Sequence, residues 1–154
     1  MQFDFQQVVE QYAPALYRLA CSYCGNRSDA QDAVQEVFLS YLRRPPVCDG
    51  PEKLRAWLMT ATANKCKDLL RSAHRRRTAP LTDLPAPPDD ADEVLEVRAA
   101  LEKLPERLRG VVYLFYYEQL PTKQIAQILH LSDAAVRSRL YVARNRLRAL
   151  LGGE

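Results

Sequence analysis

The residues best suited to chemistry lie near the end of the chain, where residues 132–151 read SDAAVRSRLYVARNRLRALL. Apolar side chains recur there at helical spacing and form one stripe: Val136, Leu140, Ala143, Leu147 and Leu150. Arginines occupy many of the other positions. An arginine guanidinium binds a guanine edge through two hydrogen bonds or neutralises a phosphate. The spacing therefore predicts a helix that buries one face and offers the other to a polyanion.

The candidate binding residues lie opposite and beside that stripe, and together they are called the C-terminal basic face. They are Ser132, Arg137, Ser138, Arg139, Tyr141 and Arg144. Arg137 and Ser138 belong to the first turns, which in a recognition helix reach the bases, whereas the later arginines suit phosphates. An ordinary solvated basic face is the alternative interpretation.

The residues before this helix complete a helix-turn-helix pattern. Thr122 is predicted to cap a short helix, and Ser132 is predicted to cap the last one. Ala126 allows the two helices to cross closely. Between them, His130 and Leu131 turn the chain, and His130 must adopt a left-handed conformation that glycine would adopt more easily.

A second basic surface is predicted on the long helix PEKLRAWLMTATANKCKDLLRSAHRRR, residues 51–77. The members of this central basic face are Asn64, Lys65, Lys67, Arg71, Arg75 and Arg76. Its cations neutralise phosphates, and the Asn64 amide can both donate to and accept from an exposed base. The preceding loop, residues 45–50, can wall a pocket for an unstacked nucleotide. A solvated lysine and arginine face is the alternative.

The helix before that loop carries a surface of opposite sign. Asp32, Gln35 and Glu36 recur at spacings of three and four, so they share one polar face, called the acidic face. Acids near a helix start also complement the helix dipole, which is the plain interpretation. The functional interpretation is a docking surface for a basic protein, since an acidic face repels DNA.

Helical periodicity extends over almost the whole sequence, and no alternating strand pattern of useful length appears, so we predict an all-α fold. A first helix over about 3–24 is predicted to end at Gly25 and Asn26, Ser28 to cap a second helix, and Pro51 to begin a third. The second and third helices have predicted buried stripes, which comprise Val34, Val37, Phe38, Tyr41, Leu42, Leu54, Trp57, Leu58, Ala61 and Leu69.

Residues 78–93 read TAPLTDLPAPPDDADE and combine prolines with like charges. Such a segment cannot bury enough apolar surface to fold alone, so a flexible acidic linker is predicted. It separates two small helical domains, residues 1–77 and 94–154, the second containing the helix-turn-helix. Each is small enough to be only marginally stable by itself.

The composition, 47% apolar and 27% charged over 154 residues, is typical of a globular protein. Neither a signal-peptide pattern nor an apolar run of about 18 residues appears, so we expect a cytoplasmic protein without membrane insertion. Its four cysteines should then stay reduced. Cys21 and Cys24 form a CxxC motif, which suits zinc, redox chemistry or small buried hydrophobes. The last is favoured because zinc needs two more placed ligands, so no metal or cofactor is expected.

Two segments resemble the extracytoplasmic-function (ECF) sigma factors, bacterial transcription initiation factors of the sigma-70 family. SDAQDAVQEVFLSYL, followed by PEKLRAWLMTATANKCKDLLRSAHRRR, is similar to their region 2. LPERLRGVVYLFYYEQLPTKQIAQILHLSDAAVRSRLYVARNRLRAL is similar to their region 4. The resemblance implies a non-catalytic subunit that binds core RNA polymerase, recognises promoter DNA and promotes initiation. It also implies an anti-sigma factor as a partner.

The same resemblance assigns roles to the three surfaces. It implies that the acidic face docks on the polymerase clamp, and that the central basic face and residues 45–50 capture the minus-ten element. The C-terminal basic face corresponds to the part that enters the minus-thirty-five element. Val142 departs from the pattern, because many relatives carry a basic residue there. A helix-turn-helix regulator that never joins polymerase remains the alternative, and it does not need the acidic face.

Overall fold

The computed structural model describes the backbone of residues 4–76 and 103–151 and the side chains of residues 4–72 and 103–151. Every regular element in these ranges is helical, which confirms the predicted all-α class. The described α-helices are α1 (Phe5–Cys24), α2 (Arg27–Arg43), α3 (Pro51–Arg76), α4 (Glu106–Val112), α5 (Thr122–Leu129) and α6 (Asp133–Leu150). A π-helical turn, Tyr113–Tyr117, continues α4.

The chain divides into two compact units, Met1–Thr82 and Asp83–Glu154. The first contains α1, α2 and α3, which pack against one another, and in the second α6 packs against both α4 and α5. The predicted linker, residues 78–93, lies outside the described residues, so its boundaries and flexibility stay predictions. Among the described helices, none is long and apolar enough to cross a membrane.

The first unit is a three-helix bundle around an apolar core. Helix α1 packs against α3, and the side chains of Leu16 and Leu19 in α1 and of Leu54 and Leu58 in α3 are almost fully buried. Burying one such side chain contributes about 1.5–3 kcal/mol. The bundle therefore has a firm interior from which α2 and α3 present their polar faces.

Of the ten residues predicted for the stripes of α2 and α3, six are buried, three are half-buried and one is exposed. Val34, Val37, Phe38, Tyr41, Leu54 and Leu58 lie in the core. The prediction for Leu42 is wrong, because its side chain is 53% exposed. Leu42 follows Tyr41 by about 100° of helical rotation, which turns it away from the bundle. Trp57, Ala61 and Leu69 are half-buried.

The junction between α1 and α2 is capped differently from the prediction. Gly25 ends α1 in the left-handed conformation, with φ 74°, as predicted. Asn26 has extended backbone and caps α2, since its side chain accepts a hydrogen bond from the Asp29 N–H at 2.8 Å. The predicted cap at Ser28 is therefore wrong, because α2 already begins at Arg27.

The second unit contains the predicted helix-turn-helix, α5 and α6. The Ser132 hydroxyl caps α6 by accepting from the Ala135 N–H at 3.0 Å, and His130 turns the chain with φ 58°, both as predicted. The Leu131 N–H donates to the Ala126 carbonyl and closes the turn. The predicted cap at Thr122 is wrong: α5 begins at Thr122 directly after Pro121, without a side-chain cap.

The apolar stripe of α6 is buried at its start and exposed at its end. Val136, Leu140 and Ala143 are buried, and Leu147 is partly buried against a cluster that includes Leu104, Leu108 and Val112. The prediction for Leu150 is wrong, because 42% of it is exposed. Leu150 lies about one turn beyond Leu147, at the last residue of the helix.

Candidate nucleic-acid interface

The C-terminal basic face stands on the solvent side of α6. Arg137, Ser138, Tyr141 and Arg144 are exposed, and Tyr141 has 66% of its surface in solvent. The burial of the opposite stripe against α4 and α5 sets this orientation, because a helix with one packed face must expose the other. The structure thus brings four of the six predicted residues together on one accessible surface.

Arg137 is held along the first turns of α6 by an ion pair. Its Nε lies 3.2 Å from Oδ2 of Asp133, one turn earlier. The Arg137 side chain is 64% exposed, so the pair adds little stability, but it restricts the orientations of the guanidinium. Because Nε carries the ion pair, both Nη groups remain for two parallel bonds to a guanine edge.

The other two predicted residues of this face have internal partners. Arg139 is half-buried, and its Nη1 donates to the Arg107 carbonyl at 3.4 Å, which joins α6 to α4. The Ser132 hydroxyl serves as the cap of α6. Both residues therefore support the position of the helix, and their predicted contacts with DNA stay predictions.

Arg144 is held by two aromatic residues that the sequence interpretation missed. Its Nε donates to Oη of Tyr116 at 2.5 Å, and its guanidinium carbon lies 5.6 Å from the ring centroid of Phe115 and 5.8 Å from that of Tyr116. These distances are in the range of cation–π attraction. The aromatic run LFYY is visible in the sequence, but the π-helical turn that directs it toward α6 is not.

Val142, the departure from the family pattern, faces its own domain. It is partly buried against the cluster of Leu104, Leu108, Val112 and Ala143. A side chain in this position contributes to packing between α4 and α6. Val142 therefore adds no cation to the solvent side of α6, where Arg144 is exposed.

The central basic face lies on α3. Asn64 and Arg71 are exposed, whereas Lys65 and Lys67 are half-buried. Arg71 forms an ion pair with Asp68 on the same helix, between two mostly exposed side chains. The side chains of the remaining predicted members, Arg75 and Arg76, lie outside the described residues. The described members thus share one helix that is anchored on its other side by the bundle core.

The loop between α2 and α3 combines an anchor with an exposed tip. Cys48 is 7% exposed and fastens the loop to the bundle, while the neighbouring Val47 is fully exposed. Asp49 and Lys53 form an ion pair at 3.1 Å where the loop enters α3. The predicted nucleotide pocket in this loop stays a prediction, and Val47 is a surface residue that the sequence interpretation did not single out.

The acidic face lies on α2. Asp32 and Gln35 are exposed, and Glu36 is half-buried with its Oε2 3.5 Å from Nη1 of Arg43. Leu39 and Leu42, 40% and 53% exposed, continue the same side of the helix at spacings of three and four. The surface therefore joins acidic and apolar side chains, and the apolar part was missed because Leu42 was assigned to the core.

The cysteines of the first unit serve as small buried residues. Cys24 and Cys66 are buried and Cys21 is half-buried, all as free thiols. A hydrogen bond with the Cys24 thiol and burial raise the pKa of the Cys66 thiol above its usual range, which keeps it protonated. The described residues contain no group of three or more His, Cys, Asp or Glu side chains arranged to hold a metal ion.

Comparison with known proteins identifies the family of the chain. The model of Sigma-70 region 2 matches residues 8–76, and that of Sigma-70, region 4 matches residues 95–147. The ECF RNA polymerase sigma factor SigL of Mycobacterium tuberculosis is 34% identical over 151 residues, covering 92% of this chain and 85% of SigL. The RNA polymerase sigma factor SigV of Bacillus subtilis is 30% identical over 141 residues, covering 90% and 85%. The chain therefore belongs to the ECF sigma factors of the sigma-70 family, as its sequence predicted.

Solved structures of sigma factors have the same fold. The sigma factor RpoE, solved in complex with the anti-sigma factor NepR from Bartonella quintana, matches with a TM-score of 0.80 and 25% identity over 97% of both chains. CnrH, solved in complex with the cytosolic domain of CnrY, matches with a TM-score of 0.70 and 30% identity, covering 96% of this chain and 87% of that one.

Proposed function

We propose that the protein is an RNA polymerase sigma factor: it binds core polymerase, recognises promoter DNA and promotes transcription initiation in the cytoplasm. The observation that carries the proposal is the presence, in one chain of this family, of an exposed acidic face and a helix-turn-helix with an exposed basic face. A regulator that binds duplex DNA alone needs only the second. RNA synthesis itself belongs to the polymerase, so the proposed role is non-catalytic and needs no cofactor.

The proposed organisation assigns separate tasks to separate segments. Residues 1–77 dock on polymerase and bind the minus-ten element, residues 94–154 bind the minus-thirty-five element, and residues 78–93 link them. The ranges matched by the two family models, 8–76 and 95–147, support this division. A linker between two anchored domains raises the effective concentration of the second domain once the first has bound.

The acidic face is the proposed docking surface for the polymerase clamp. Asp32, Gln35 and Glu36 offer negative charge and hydrogen-bond acceptors to a basic partner surface, and Leu39 and Leu42 add apolar area beside them. Charge complementarity speeds association and fixes orientation, while burial of the leucines adds affinity. The docking surface thus extends beyond the polar residues that the sequence pattern suggested.

The C-terminal basic face is the proposed anchor on upstream duplex DNA. Arg137 and Ser138 are proposed to read bases in the major groove, and Arg144 to bind a phosphate. The partners of the two arginines support this division. Asp133 compensates the charge of Arg137, so hydrogen bonds to bases stabilise this guanidinium more than a phosphate contact does. Arg144 donates to a neutral phenol oxygen and retains its full charge, which favours a phosphate.

The central basic face is the proposed site of strand capture. Promoter opening loses DNA stacking, which is worth about 1.4 kcal/mol per base-pair step. Contacts between the protein and the exposed strand must offset this loss. Lys65, Lys67 and Arg71, with Arg75 and Arg76, supply phosphate contacts. Asn64 is proposed to bind an unstacked base.

Stacking on aromatic residues is proposed to contribute little to this capture. The Trp57 ring is half-buried and packs against Tyr41, with ring centroids 6.3 Å apart. Stacking on an aromatic side chain is worth about 1–3 kcal/mol per base and does not distinguish between bases. Where stacking contributes little, more of the affinity for the DNA strand must come from base-specific contacts. We therefore expect a strict minus-ten requirement, and broad tolerance in transcription assays on mutated minus-ten sequences would contradict it.

An anti-sigma factor is the proposed regulator of the protein. The similar sigma factors RpoE and CnrH were solved in complexes with NepR and the cytosolic domain of CnrY, and NepR is named as an anti-sigma factor. A partner that covers Leu39 and Leu42 would compete with polymerase for the same surface.

The experiment that tests the proposed function is runoff transcription with purified core polymerase and genomic fragments. We expect discrete start sites that depend on addition of the protein. A pattern identical to that of core polymerase alone would refute the proposal, even if the protein bound duplex DNA.

A further inference from the structure

Two aromatic residues of the π-helical turn Tyr113–Tyr117 contact α6 and hold the guanidinium of Arg144. Phe115 and Tyr116 meet edge to face, with centroids 4.9 Å apart and planes at 85°. Arg144 lies against both rings, and its Nε donates to the Tyr116 hydroxyl oxygen at 2.5 Å. Two ring contacts and one hydrogen bond thus act on the same guanidinium.

The π-helical turn explains why these two rings reach α6. Within the turn, Tyr113 and Tyr117 stack on each other at 5.2 Å with planes only 15° apart, so they pair along their own helix. An α-helix advances about 100° per residue, and the wider π turn changes the directions of the side chains that it contains. The turn therefore divides its aromatic residues between an internal stack and a contact with α6.

We propose that Tyr116 is a positioning residue for Arg144, and that it holds this guanidinium ready to bind one phosphate of duplex DNA. The proposal rests on the proposed function, in which α6 anchors upstream DNA. Tyr116 occupies Nε, and the described part of the chain offers no hydrogen-bond partner to the two Nη groups of Arg144. A phenol oxygen is neutral, so the held guanidinium keeps its full positive charge for a phosphate.

Simple packing accounts less well for this contact. Tyr116 is 49% exposed and Arg144 is exposed, so the pair buries little area compared with the core residues beneath it. A long arginine side chain loses rotamer freedom when it is held in one orientation. The contact restricts an exposed arginine and leaves its two Nη groups accessible. This favours binding, because the side-chain entropy is already lost before DNA binds.

A double-mutant cycle on the assembled holoenzyme tests the proposal. The variants are Tyr116→Phe, Arg144→Ala and the double variant, with Tyr117→Phe as the matched control that removes a neighbouring phenol oxygen. The DNA is a promoter fragment identified by runoff transcription, and affinity is measured over a series of salt concentrations. Thermal unfolding of each free variant verifies its fold.

A positioning role predicts a specific pattern. Tyr116→Phe weakens promoter binding about fivefold without changing the salt slope, since no charge is lost. Arg144→Ala weakens binding further and lowers the salt slope by about 0.9, the loss of one phosphate contact. The double variant binds no more weakly than Arg144→Ala, and Tyr117→Phe binds like the parent protein.

Two results would overturn the proposal. Additive losses in the double variant would mean that Tyr116 contacts DNA itself, and an unchanged affinity of Tyr116→Phe would mean that its hydroxyl does not organise the site. Failure of the parent holoenzyme to bind any promoter fragment is a different outcome, because it would count against the proposed function rather than against the role of Tyr116.

Discussion

The two units of this protein present charge in different ways. In the first unit the acidic and central basic faces lie on neighbouring helices, and two of their ion pairs, Arg71 with Asp68 and Glu36 with Arg43, each join residues of one helix. In the second unit, other elements hold two arginines of α6, Arg139 through the Arg107 carbonyl and Arg144 through Tyr116, while Arg137 pairs with Asp133 of its own helix. We therefore propose that the surfaces of the first unit act mainly through charge, and that α6 acts mainly through the fixed orientation of its arginines.

Physical reasons connect that difference to the proposed ligands. An unpaired DNA strand is flexible, so adaptable side chains on a firm helix can follow its backbone. Duplex DNA has a fixed groove, and a guanidinium that is already oriented loses less freedom on binding. The comparison therefore predicts that charge reversal damages the first unit most and that shape-changing substitutions damage the second.

Charge reversal of the acidic face should have the largest effect. The double substitution Asp32→Lys and Glu36→Lys should weaken binding to core polymerase by at least about 100-fold, since like charges across an interface cost several kcal/mol. Equilibrium titration of labelled protein with core polymerase measures this. Glu10→Lys with Glu52→Lys makes the same change in net charge elsewhere on the unit and should leave binding nearly unchanged. Equal losses in both pairs would refute docking through this face.

Removal of the proposed base reader should have the next largest effect. Arg137→Ala should reduce discrimination between a promoter and the same fragment with an altered minus-thirty-five element by about 1–3 kcal/mol. Competition binding of the holoenzyme with the two fragments measures the ratio. Arg148→Ala, at the far end of α6, should weaken both fragments alike. Full discrimination by the Arg137 variant would remove it from base readout.

A matched conservative substitution in each unit tests the comparison directly. Arg144→Lys should weaken promoter binding about fivefold, because lysine has no planar fork to place against the Phe115 and Tyr116 rings. Arg71→Lys should change promoter opening less than about twofold, since its charge is kept on an exposed site. Permanganate footprinting of the open complex and filter binding give the two readouts. Equal sensitivity of both sites would contradict the contrast between units.

Backbone geometry at two helix ends should give the smallest effects, with opposite signs. His130→Gly should raise the free energy of unfolding by about 0.5–1 kcal/mol, because glycine adopts the observed φ of 58° without strain. Gly25→Ala, at φ 74°, should lower it by about 1 kcal/mol for the same reason. Urea unfolding followed by circular dichroism measures both changes. Stabilisation by Gly25→Ala would contradict this account.

The sequence was most informative at positions where the backbone conformation or the helix cap favours only a few residue types. Gly25 as the end of α1, Ser132 as the cap of α6 and His130 in the left-handed turn all follow from local backbone chemistry, and the structure confirms each. The predicted caps at Ser28 and Thr122 were wrong, because the nearby residues Asn26 and Pro121 were equally able to precede the two helices. Local rules therefore located the helices well and their first residues less well.

The hydrophobic periodicity of the sequence could not predict the tertiary contacts. Leu42 and Leu150 belong to apolar runs at helical spacing, yet both are exposed because the packing partners of α2 and α6 do not reach them. Phe115 and Tyr116 were overlooked for the converse reason, since their value depends on a helix about 28 residues farther along the chain. Periodicity reports which residues share a face and leaves open what that face meets.

By itself, the sequence determined the all-helical class, the family, the helix-turn-helix and the sign of each charged face, because these depend on composition and spacing along one helix. Only the tertiary structure decided which cations of α6 are held by other elements: Arg139 by the Arg107 carbonyl and Arg144 by the Tyr116 hydroxyl. The physical reason is that the orientation of a guanidinium depends on acceptors within hydrogen-bond distance, and both of these acceptors come from other helical elements.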